Sequence, residues 1–416
     1  MNIPHASEPS GAYWLNRILH YRPSLLEYAE DLFQAVTAHI PRTLARSILG
    51  APTTDPIGLS LEGTLMFADI DGFTPLAERF AQAASEEGAE ELTELVNRFL
   101  EILIPITTRY GGDLQKFGGD AGILLFQGEH HAWRAIAASL EVQAAMQAQM
   151  SQVDTSLGAF SLKIAIGLSS GRMIGLGLGD VAGQEWWLSG PPIAAMGRAQ
   201  SAAPPNATVV DESTFEACAG EVEVTHVDEG LHLIRRLRAL PPRFDIEPLP
   251  APPNLLDAQR LQWYLSRLDA LTPYLAPGLL DRLTSAPVLE QTRWWSSELR
   301  QVTILMLALD DPEMMACWGD AARLQEALGE PNEIFVQIRD TIRRYDGIVD
   351  KIGLSPKGAY VMALFGAPLA HEDDPLRAVL AALELQAAFE QTLHFGINTG
   401  FVFAGDVGTN ERREYT

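Results

Sequence analysis

Two short acidic motifs in the first half of the chain could position a phosphate and a divalent metal. The first is the octet 67–74, Phe-Ala-Asp-Ile-Asp-Gly-Phe-Thr, in which an apolar run typical of a buried strand ends at Asp69. A glycine-bearing turn and a helix start follow, and the N–H groups of such segments bind anions. Mg²⁺ prefers one or two carboxylates together with substrate phosphates. The octet therefore predicts a metal–phosphate site, with Asp69 as a simple turn former as the alternative.

The second motif is Lys-Phe-Gly-Gly-Asp-Ala at 116–121, at the tip of a predicted hairpin. Taken alone, it is best interpreted as an ordinary hairpin turn. A long helical pattern separates Asp120 from Asp69, so both carboxylates can lie on adjacent strands. Paired carboxylates at a sheet edge can support two divalent ions roughly 3.5–4 Å apart. The two motifs together favour a metal site over two unrelated turns.

The elements that must position these residues occur twice. Motifs of the first half recur in the same order in the second half, which predicts a tandem duplication. The equivalent positions, at offsets of 235, 239 and 229, are Tyr110 and Tyr345, Phe126 and Phe365, and Gly171 and Gly400. We divide the chain into an N-terminal helical segment (1–55), a first domain (56–239), a Pro-rich and helical linker (240–297) and a second domain (298–416).

Hydrophobic periodicity in the first domain predicts the element order β-α-α-β-β-α-β-β-α. A buried strand is expected at 64–69 and a long helix at 90–110. We expect residues 162–178 to form two strands around a Ser-Gly turn, followed by a helix that begins at the prolines 191–192. This order predicts the α+β class, with a sheet backed by helices.

Composition excludes several classes of protein. The chain has 30 Lys and Arg against 54 Asp and Glu, a net charge of −24. Such a charge argues against nucleic-acid binding and against a basic membrane-surface patch. Two cysteines exclude a disulfide scaffold, and no long apolar run predicts a transmembrane helix. The first residues lack the pattern of a signal peptide, so we expect a cytoplasmic protein.

The motifs resemble the catalytic domains of class III nucleotidyl cyclases, and most closely the tandem soluble adenylyl cyclase type and related bacterial proteins. In the first domain the resemblance lies in MFADIDGFT, KFGGDA and GLSSGRMIGLGLG. In the second it lies in KGAYVMALFG, GINTGFVFAGDVG and RREYT. The resemblance implies two ferredoxin-like domains packed as a pseudo-symmetric head-to-tail pair, with two sites at their interface.

The resemblance also implies a reaction, in which ATP is converted to 3′,5′-cyclic AMP and pyrophosphate. Asp69 and Asp120 would hold two divalent ions, Mg²⁺ or Mn²⁺, and Ile70 would add a backbone carbonyl. The triphosphate would be wrapped by the residues that follow, Asp71, Gly72, Phe73 and Thr74.

The second domain is expected to recognise the base and not to supply metal ligands. Alignment of the two copies places Ala308 opposite Asp69, which removes a metal ligand. Lys357 resembles the lysine that meets adenine N1, and Thr416 the residue that meets the adenine amino group; Lys351 is a competing candidate. A lysine donates hydrogen bonds and cannot accept the N1–H of guanine, which favours ATP over GTP.

A second, degenerate site is implied for the other side of the interface. There Lys116 resembles an anion-contacting residue and Arg198 occupies the position of the family arginine, so a small anion such as bicarbonate is a candidate regulator. In the family, a helix after the motif Glu-Tyr-Thr carries an asparagine and an arginine. The chain stops at that motif, so we expect downstream domains in the same polypeptide.

Two other functions are weighed against a cyclase. One is a catalytically silent module that binds nucleotide or a small anion and regulates other domains. The other is a diguanylate cyclase, suggested by Gly118-Gly119-Asp120. The diguanylate cyclase signature has an acidic residue and a phenylalanine after these three residues. Here Ala121 follows instead, which argues against that function.

Overall fold

The computed structural model describes residues 25–415 except for 84–85, 118–119, 255–256, 286–297, 310–323, 326, 356–357, 368, 390–392, 405 and 410. Two predicted base-recognising residues, Lys357 and Thr416, lie outside the described residues. Within the described part, no helix has the length and apolar character needed to span a bilayer.

Helices and strands alternate along the described chain. The helices are α1 (Leu25–Thr37), α2 (Arg42–Gly50), α3 (Phe73–Ala83), α4 (Glu86–Arg109), α5 (His131–Gln149), α6 (Pro191–Ser201), α7 (Glu212–Glu216), α8 (Asp257–Leu271), α9 (Leu279–Ser285), α10 (Gly329–Arg344) and α11 (Asp374–Ala388). The strands are β1 (Ile57–Asp71), β2 (Gly112–Phe117), β3 (Ala121–Gln127), β4 (Val153–Thr155), β5 (Gly158–Phe160), β6 (Lys163–Asp180), β7 (Gly183–Ser189), β8 (Ala207–Asp211), β9 (Val222–Asp228), β10 (Leu231–Leu237), β11 (Glu298–Leu309), β12 (Ile348–Ser355), β13 (Gly358–Phe365), β14 (Leu393–Ala404), β15 (Asp406–Gly408) and β16 (Arg413–Tyr415).

The larger sheet has the strand order β2-β3-β1-β6-β8-β10-β9, and β7 pairs with β6 beside this path. Strand β1 is antiparallel to both β3 and β6, whereas β6 and β8 run parallel. Helices α3, α4 and α5 supply the core on one face of the sheet. The mixed sheet backed by helices confirms the predicted α+β class.

The second sheet has the order β12-β13-β11-β14, which repeats the order β2-β3-β1-β6 of the first. Its register repeats as well. The corresponding triplets of opposed residues are Thr64, Phe126 and Ser170 in the first sheet and Thr303, Phe365 and Thr399 in the second. These triplets are related by the same offsets that the sequence motifs have.

One prediction for the first domain is wrong. Residues 162–178 do not form two strands around a Ser-Gly turn, because 163–180 is one continuous strand, β6. Strand β1 is also longer than the predicted 64–69, and it pairs with β6 from Ile57 to Asp71. Gly171, with φ of 156°, stays within this ladder, where it lies opposite Gly63. Each long strand is held extended by the other, so no turn forms.

Helices from the N-terminal segment and from the linker pack together against the other face of the first sheet. Phe33 of α1 contacts the rings of Trp263 and Tyr264 on α8, with ring centroids 5.5 and 5.3 Å apart. Leu61 and Leu65 of β1 belong to the same apolar cluster. The segments before and after the first domain therefore form one helical layer on it.

Each domain extends a hairpin onto the other. We call residues 174–187, from β6 and β7, the first arm, and residues 406–415, from β15 and β16, the second arm. Apolar side chains of the first arm join the core of the second domain; they are Ile174, Leu176, Leu178 and Trp187. Val407 of the second arm joins the core of the first domain. The two domains thus share a reciprocal interface.

Candidate functional site

Asp69 and Asp120 lie side by side at one end of the first sheet. Asp69 is near the end of β1, directly opposite Ala121, the first residue of β3. The backbone N–H of Ile70 donates to the carbonyl oxygen of Asp120 at 3.2 Å. The strand pairing therefore brings together two carboxylates that are fifty-one positions apart in the sequence.

The two carboxylates are held in an environment that disfavours their charged forms. Burial, followed by the negative charges of Asp120 and Asp71, raises the pKa of Asp69 to about 6. Burial also raises the pKa of Asp120. The groups that lower the pKa of Asp69 are the Gln200 amide and the Ile70 backbone, and neither carries a positive charge. A cation bound between the carboxylates would relieve this repulsion.

The chemistry of these donors fits a magnesium-type site. No group of three or more His, Cys, Asp or Glu side chains that could hold a metal occurs among the described residues. A closed all-protein metal cage is therefore absent from that part of the chain. Two carboxylates are nevertheless sufficient for Mg²⁺, which keeps waters and takes substrate phosphates as further ligands. Asp69 and Asp120, with the Ile70 carbonyl, are the residues that would hold it.

The predicted phosphate-binding segment forms a tight turn into a helix. Asp71 is exposed at the end of β1, and Gly72 follows with φ of +83°, a conformation that favours glycine. Phe73 begins α3 and is 8% exposed, so it anchors the start of the helix in the core. Thr74 is the second residue of α3, and its side chain lies outside the described part. Helix α3 therefore begins four residues after Asp69.

Sequence reasoning missed one residue of this site. Gln200 of α6 donates from Nε2 to Oδ2 of Asp69 at 3.1 Å. Helix α6 can approach so closely because β6 has Gly167 beneath it, where a Cβ would lie 2.2 Å from the Gln200 backbone nitrogen. Gln200 follows the buried Met196 by one helical turn, and this spacing is the signal that places it on the sheet-facing side.

The second arm reaches the first domain next to Asp120. Glu414 accepts from the backbone N–H of Phe117 at 3.5 Å, three positions before Asp120. Thr416, which the family resemblance assigns to the base, is two residues beyond Glu414 but is outside the described residues, as is Lys357. The competing candidate Lys351 is buried on β12, where its Nζ lies 3.3 Å from Asp350. Lys351 is therefore engaged within the interface.

The equivalent strand of the second domain has no carboxylate at the position that corresponds to Asp69. Ala308 of β11 lies opposite Tyr360 and His394, five residues after Thr303, as Asp69 lies five residues after Thr64. The register thus places Ala308 at the position of Asp69, as the sequence alignment has it.

Lys116 and Arg198, the predicted anion-contacting pair, occupy different surroundings. Lys116 is half-buried, and its Nζ lies 2.9 Å from Oε2 of Glu185 on the first arm. It lines an interface cavity of about 90 Å³ together with Asp350 and Glu414. Arg198 is exposed on α6 and is not among the residues that line this cavity. The structure does not bring the two cations together there.

The partly buried charged groups at this cavity act on one another. Burial lowers the pKa of Lys116, but the carboxylates of Glu185, Glu414 and Asp350 outweigh it, so the net shift is upward. Burial raises the pKa of Glu185 to about 7, against the opposing effect of Lys116. The lysine is therefore held in its charged form by carboxylates that belong to both domains.

Comparison with known proteins finds one matching family model and several curated relatives. The model of the family described as "Adenylate and Guanylate cyclase catalytic domain" matches residues 61–231. The chain is 26% identical to human adenylate cyclase type 10 over 381 residues, which cover 85% of this chain and 23% of that protein. It is 25% identical to the Oryctolagus cuniculus protein of the same name over 409 residues, which cover 92% and 24%. The chain spans about a quarter of the length of these curated relatives.

A solved structure extends the likeness to both domains. The crystal structure of a class III adenylyl cyclase-like ATP-binding protein from Pseudomonas aeruginosa matches with a TM-score of 0.54 and 13% identity, covering 94% of this chain and 86% of that one. At that identity the likeness concerns the fold alone. Residues 61–231 thus match the catalytic-domain model, and most of the length of the chain is similar to adenylate cyclase type 10.

Proposed function

We propose that the protein is an adenylyl cyclase that converts ATP into 3′,5′-cyclic AMP and pyrophosphate at the interface of its two domains. The observation that carries this proposal is the pairing of Asp69 with Asp120 beside the turn at Gly72 and the second arm. The arrangement combines a cation site, a phosphate-binding turn and a segment from the other domain.

In this proposal each group of residues has a separate task. Asp69, Asp120 and the carbonyl of Ile70 would hold two Mg²⁺ or Mn²⁺ ions. When bound, such ions would supply Lewis acidity that lowers the pKa of the ribose 3′-OH and offsets charge on the departing pyrophosphate. The turn from Asp71 to Thr74 binds the triphosphate through backbone N–H groups. Gln200 fixes the orientation of the Asp69 carboxylate by donating to Oδ2.

The second domain is proposed to select adenine. Lys357 donates to adenine N1 and Thr416 accepts from the adenine amino group, so both residues are matched to ATP. The second arm, which leads into Thr416, contacts Phe117 and Leu114 of the first domain. Exchanging Lys357→Glu together with Thr416→Cys should lower the ratio of kcat/KM for ATP over GTP, and an unchanged ratio would require a different base pocket.

Two further features of the proposal concern the whole polypeptide. Gly396 and Gly400 of β14 occupy the positions of Gly167 and Gly171, and a Cβ at either would meet no atom of the described residues within 4 Å. A helix equivalent to α6, from a segment of the same polypeptide, would cover this face and supply the family asparagine and arginine. We also propose a cytoplasmic location.

A catalytically silent nucleotide-binding module is the second candidate. The similar Pseudomonas aeruginosa fold is named an ATP-binding protein, and one of the two pseudo-equivalent sites here has Ala308 in place of a carboxylate. Such a module would bind ATP through the turn at Gly72 without turnover. It would transmit the bound state through the shared domain interface.

One experiment separates the two functions. The full polypeptide is incubated with ATP and Mg²⁺ or Mn²⁺, and cyclic AMP and pyrophosphate are quantified while ATP binding is measured by calorimetry in the same buffer. The proposal expects both products in equal amounts, and no product without a divalent cation. Tight ATP binding with neither product would favour the silent module, and the absence of binding would reject both.

A further inference from the structure

The two arms are fixed by a matched pair of asparagine contacts. Oδ1 of Asn97 on α4 accepts from the backbone N–H of Gly408 on the second arm at 3.1 Å. Oδ1 of Asn332 on α10 accepts from the backbone N–H of Gly179 on the first arm at 2.6 Å. The asparagines are related by the offset of 235 and the glycines by the offset of 229 that the sequence repeats show. The same contact is therefore made twice, once in each direction across the interface.

Each glycine makes a bend that delivers its N–H to the asparagine. Gly179 and Gly408 have φ of +126° and +127°, values that side chains of L-residues rarely allow. A Cβ on Gly179 would lie 2.1 Å from the Gly183 carbonyl oxygen, and one on Gly408 would lie 2.2 Å from that of Arg412. Because the bend cannot be made by other residues, each arm is shaped for this contact.

The two contacts are not equally reinforced. On the first arm, Arg339 of α10 forms two hydrogen bonds of 2.8 and 2.9 Å to the Asp180 carboxylate, and Arg343 donates to the Ala182 carbonyl at 2.8 Å. The positions of these two arginines on α4 are occupied by Ile104 and Thr108. Helix α4 thus holds the second arm without an arginine clamp.

The less reinforced arm is the one that leads to the base-recognising end. Its other described anchors lie at or next to β16: Arg412 donates to Leu114 O at 3.2 Å, Glu414 accepts from the Phe117 N–H at 3.5 Å, and the Arg413 N–H donates at 2.8 Å to Ala38 O in the N-terminal segment. Strand β15 is held by Asn97 and by the buried Val407. Loss of the Asn97 contact would free β15 and, through its pairing with β16, shift the segment before Thr416.

We propose that Asn97 is a positioning residue, which sets the second arm relative to Asp69 and Asp120 and thereby the affinity for the base of ATP. Asn332 is its structural counterpart on the side that has no metal carboxylate. This inference rests on the proposed cyclase function for its link to ATP, whereas the latching of the arms does not depend on that function.

The test uses the full chain in three variants. Asn97→Ala removes the acceptor, Asn97→Asp keeps an acceptor oxygen, and Asn332→Ala removes the matched contact on the other arm. Hydrogen–deuterium exchange is measured over residues 406–415 and 174–187, and KM and kcat for ATP are measured alongside. Since one hydrogen bond is lost, we expect Asn97→Ala to speed exchange of the second arm and raise KM roughly three- to tenfold.

The controls separate positioning from general loosening. Asn97→Asp should restore the exchange rate of the second arm and the KM for ATP to those of the unaltered protein. Asn332→Ala should leave KM within about twofold, because the arginines retain the first arm. Unchanged exchange of the second arm in Asn97→Ala would overturn the latch. An equal rise of KM in Asn97→Ala and Asn332→Ala would overturn the positioning role. If the unaltered protein forms no cyclic AMP, the proposed function fails and the exchange data alone decide the latch.

Discussion

At the scale of single residues, the site is defined by charge repulsion that the fold leaves uncompensated. Asp69 and Asp120 are adjacent and partly buried, and each has a raised pKa. Protein interiors tolerate such pairs when a bound cation neutralises them, so perturbed carboxylates mark functional sites. The pair therefore destabilises the folded chain, but the same two charges can bind a cation for a metal-dependent reaction.

Replacing either carboxylate by its amide should abolish turnover. Asp69→Asn and Asp120→Asn each preserve shape but remove a charge that both ions are proposed to share. We expect cyclic AMP formation to fall by at least about 100-fold, and the rise in Tm caused by Mn²⁺ with ATP to disappear. Asp154→Asn, at an exposed position of the same domain, should change neither quantity. Activity within about tenfold of the unaltered protein would defeat the site assignment.

The raised pKa of Asp69 also predicts a pH-dependent gain in stability for Asp69→Asn without metal. The folded pKa of about 6 exceeds the ordinary 3.8, so the folded state binds more protons between these values and stability falls as pH rises through them. Above pH 6 the amide should therefore stabilise the fold by roughly 1 kcal/mol, or about 2–4 °C in Tm, after allowance for solvent screening. Below pH 4 the gain should vanish. Thermal unfolding in EDTA at several pH values would measure it, and a pH-independent gain would contradict it.

The residues of this site differ in how well the sequence predicts them. Asp69 and Asp120 stand in motifs with distinctive neighbours, and strand pairing brings them together as those motifs predict. Gln200 has no motif of its own, and its contact depends on how closely α6 lies on β6. That approach is a tertiary distance, which no local pattern encodes.

At the scale of elements, glycine spacing on the central strands determines which helix can pack on the sheet. Gly167 lies under α6, and a Cβ there would meet the Gln200 nitrogen at 2.2 Å and the Met196 oxygen at 2.5 Å. A Cβ on Gly396, its equivalent on β14, would meet no atom within 4 Å in the part of the chain that the structure describes. The same residue type is therefore required by packing in one copy and open to substitution in the other.

This difference gives a matched pair of substitutions. Gly167→Ala should push α6 from the sheet and cost about 1–3 kcal/mol, lowering Tm by several degrees. Gly396→Ala in the chain of residues 1–416 should be neutral or slightly stabilising, because alanine loses less backbone entropy than glycine. Thermal unfolding of both variants checks this. Equal destabilisation by the two substitutions would mean that the face of β14 is covered as well.

The order of the helices and strands was predictable from hydrophobic periodicity. Their lengths, and the fact that each domain packs a hairpin on the other, were not. The predicted break at the Ser-Gly sequence fails because β1 holds β6 extended along its whole length. The reciprocal arms were not predicted either. Repeat offsets reveal two equivalent hairpins, yet they do not say whether each hairpin packs on its own domain or on the other. That choice depends on apolar surfaces such as those of Trp187 and Val407, which are buried only across the interface.

At the scale of the whole molecule, the interface joins equivalent charges from the two copies. Lys116 and Lys351 are related by the offset of 235, and Glu185 and Glu414 by 229. All four contribute to one buried cluster, in which Asp350 adds a further carboxylate. A buried charge is costly unless it is paired, so the cluster favours the arrangement in which both domains supply partners. Pairing also limits what else can bind there.

The interface cavity is the candidate binding site for bicarbonate. The interface cavity of about 90 Å³ could admit a small anion, but its lysine already pairs with Glu185 at 2.9 Å, and Asp350 and Glu414 also line it. An anion would have to displace Glu185 and enter beside two further carboxylates. We therefore expect bicarbonate to change the rate of cyclic AMP formation by less than about twofold, relative to chloride at equal pH and ionic strength.

Glu185→Gln provides the opposite case, because it keeps the hydrogen-bonding shape while releasing the charge of Lys116. Glu414 and Asp350 still act on Lys116, so the loss of Glu185 leaves its charge only partly compensated and costs less than the roughly 3–5 kcal/mol of breaking an isolated buried pair. A bound anion can restore part of that energy. The variant should therefore have a lower Tm that rises on addition of bicarbonate, whereas the Tm of the unaltered protein should not respond. Strong stimulation of the unaltered enzyme by bicarbonate would mean that Glu185 yields to the anion, and that the pairing of Lys116 does not protect the cavity.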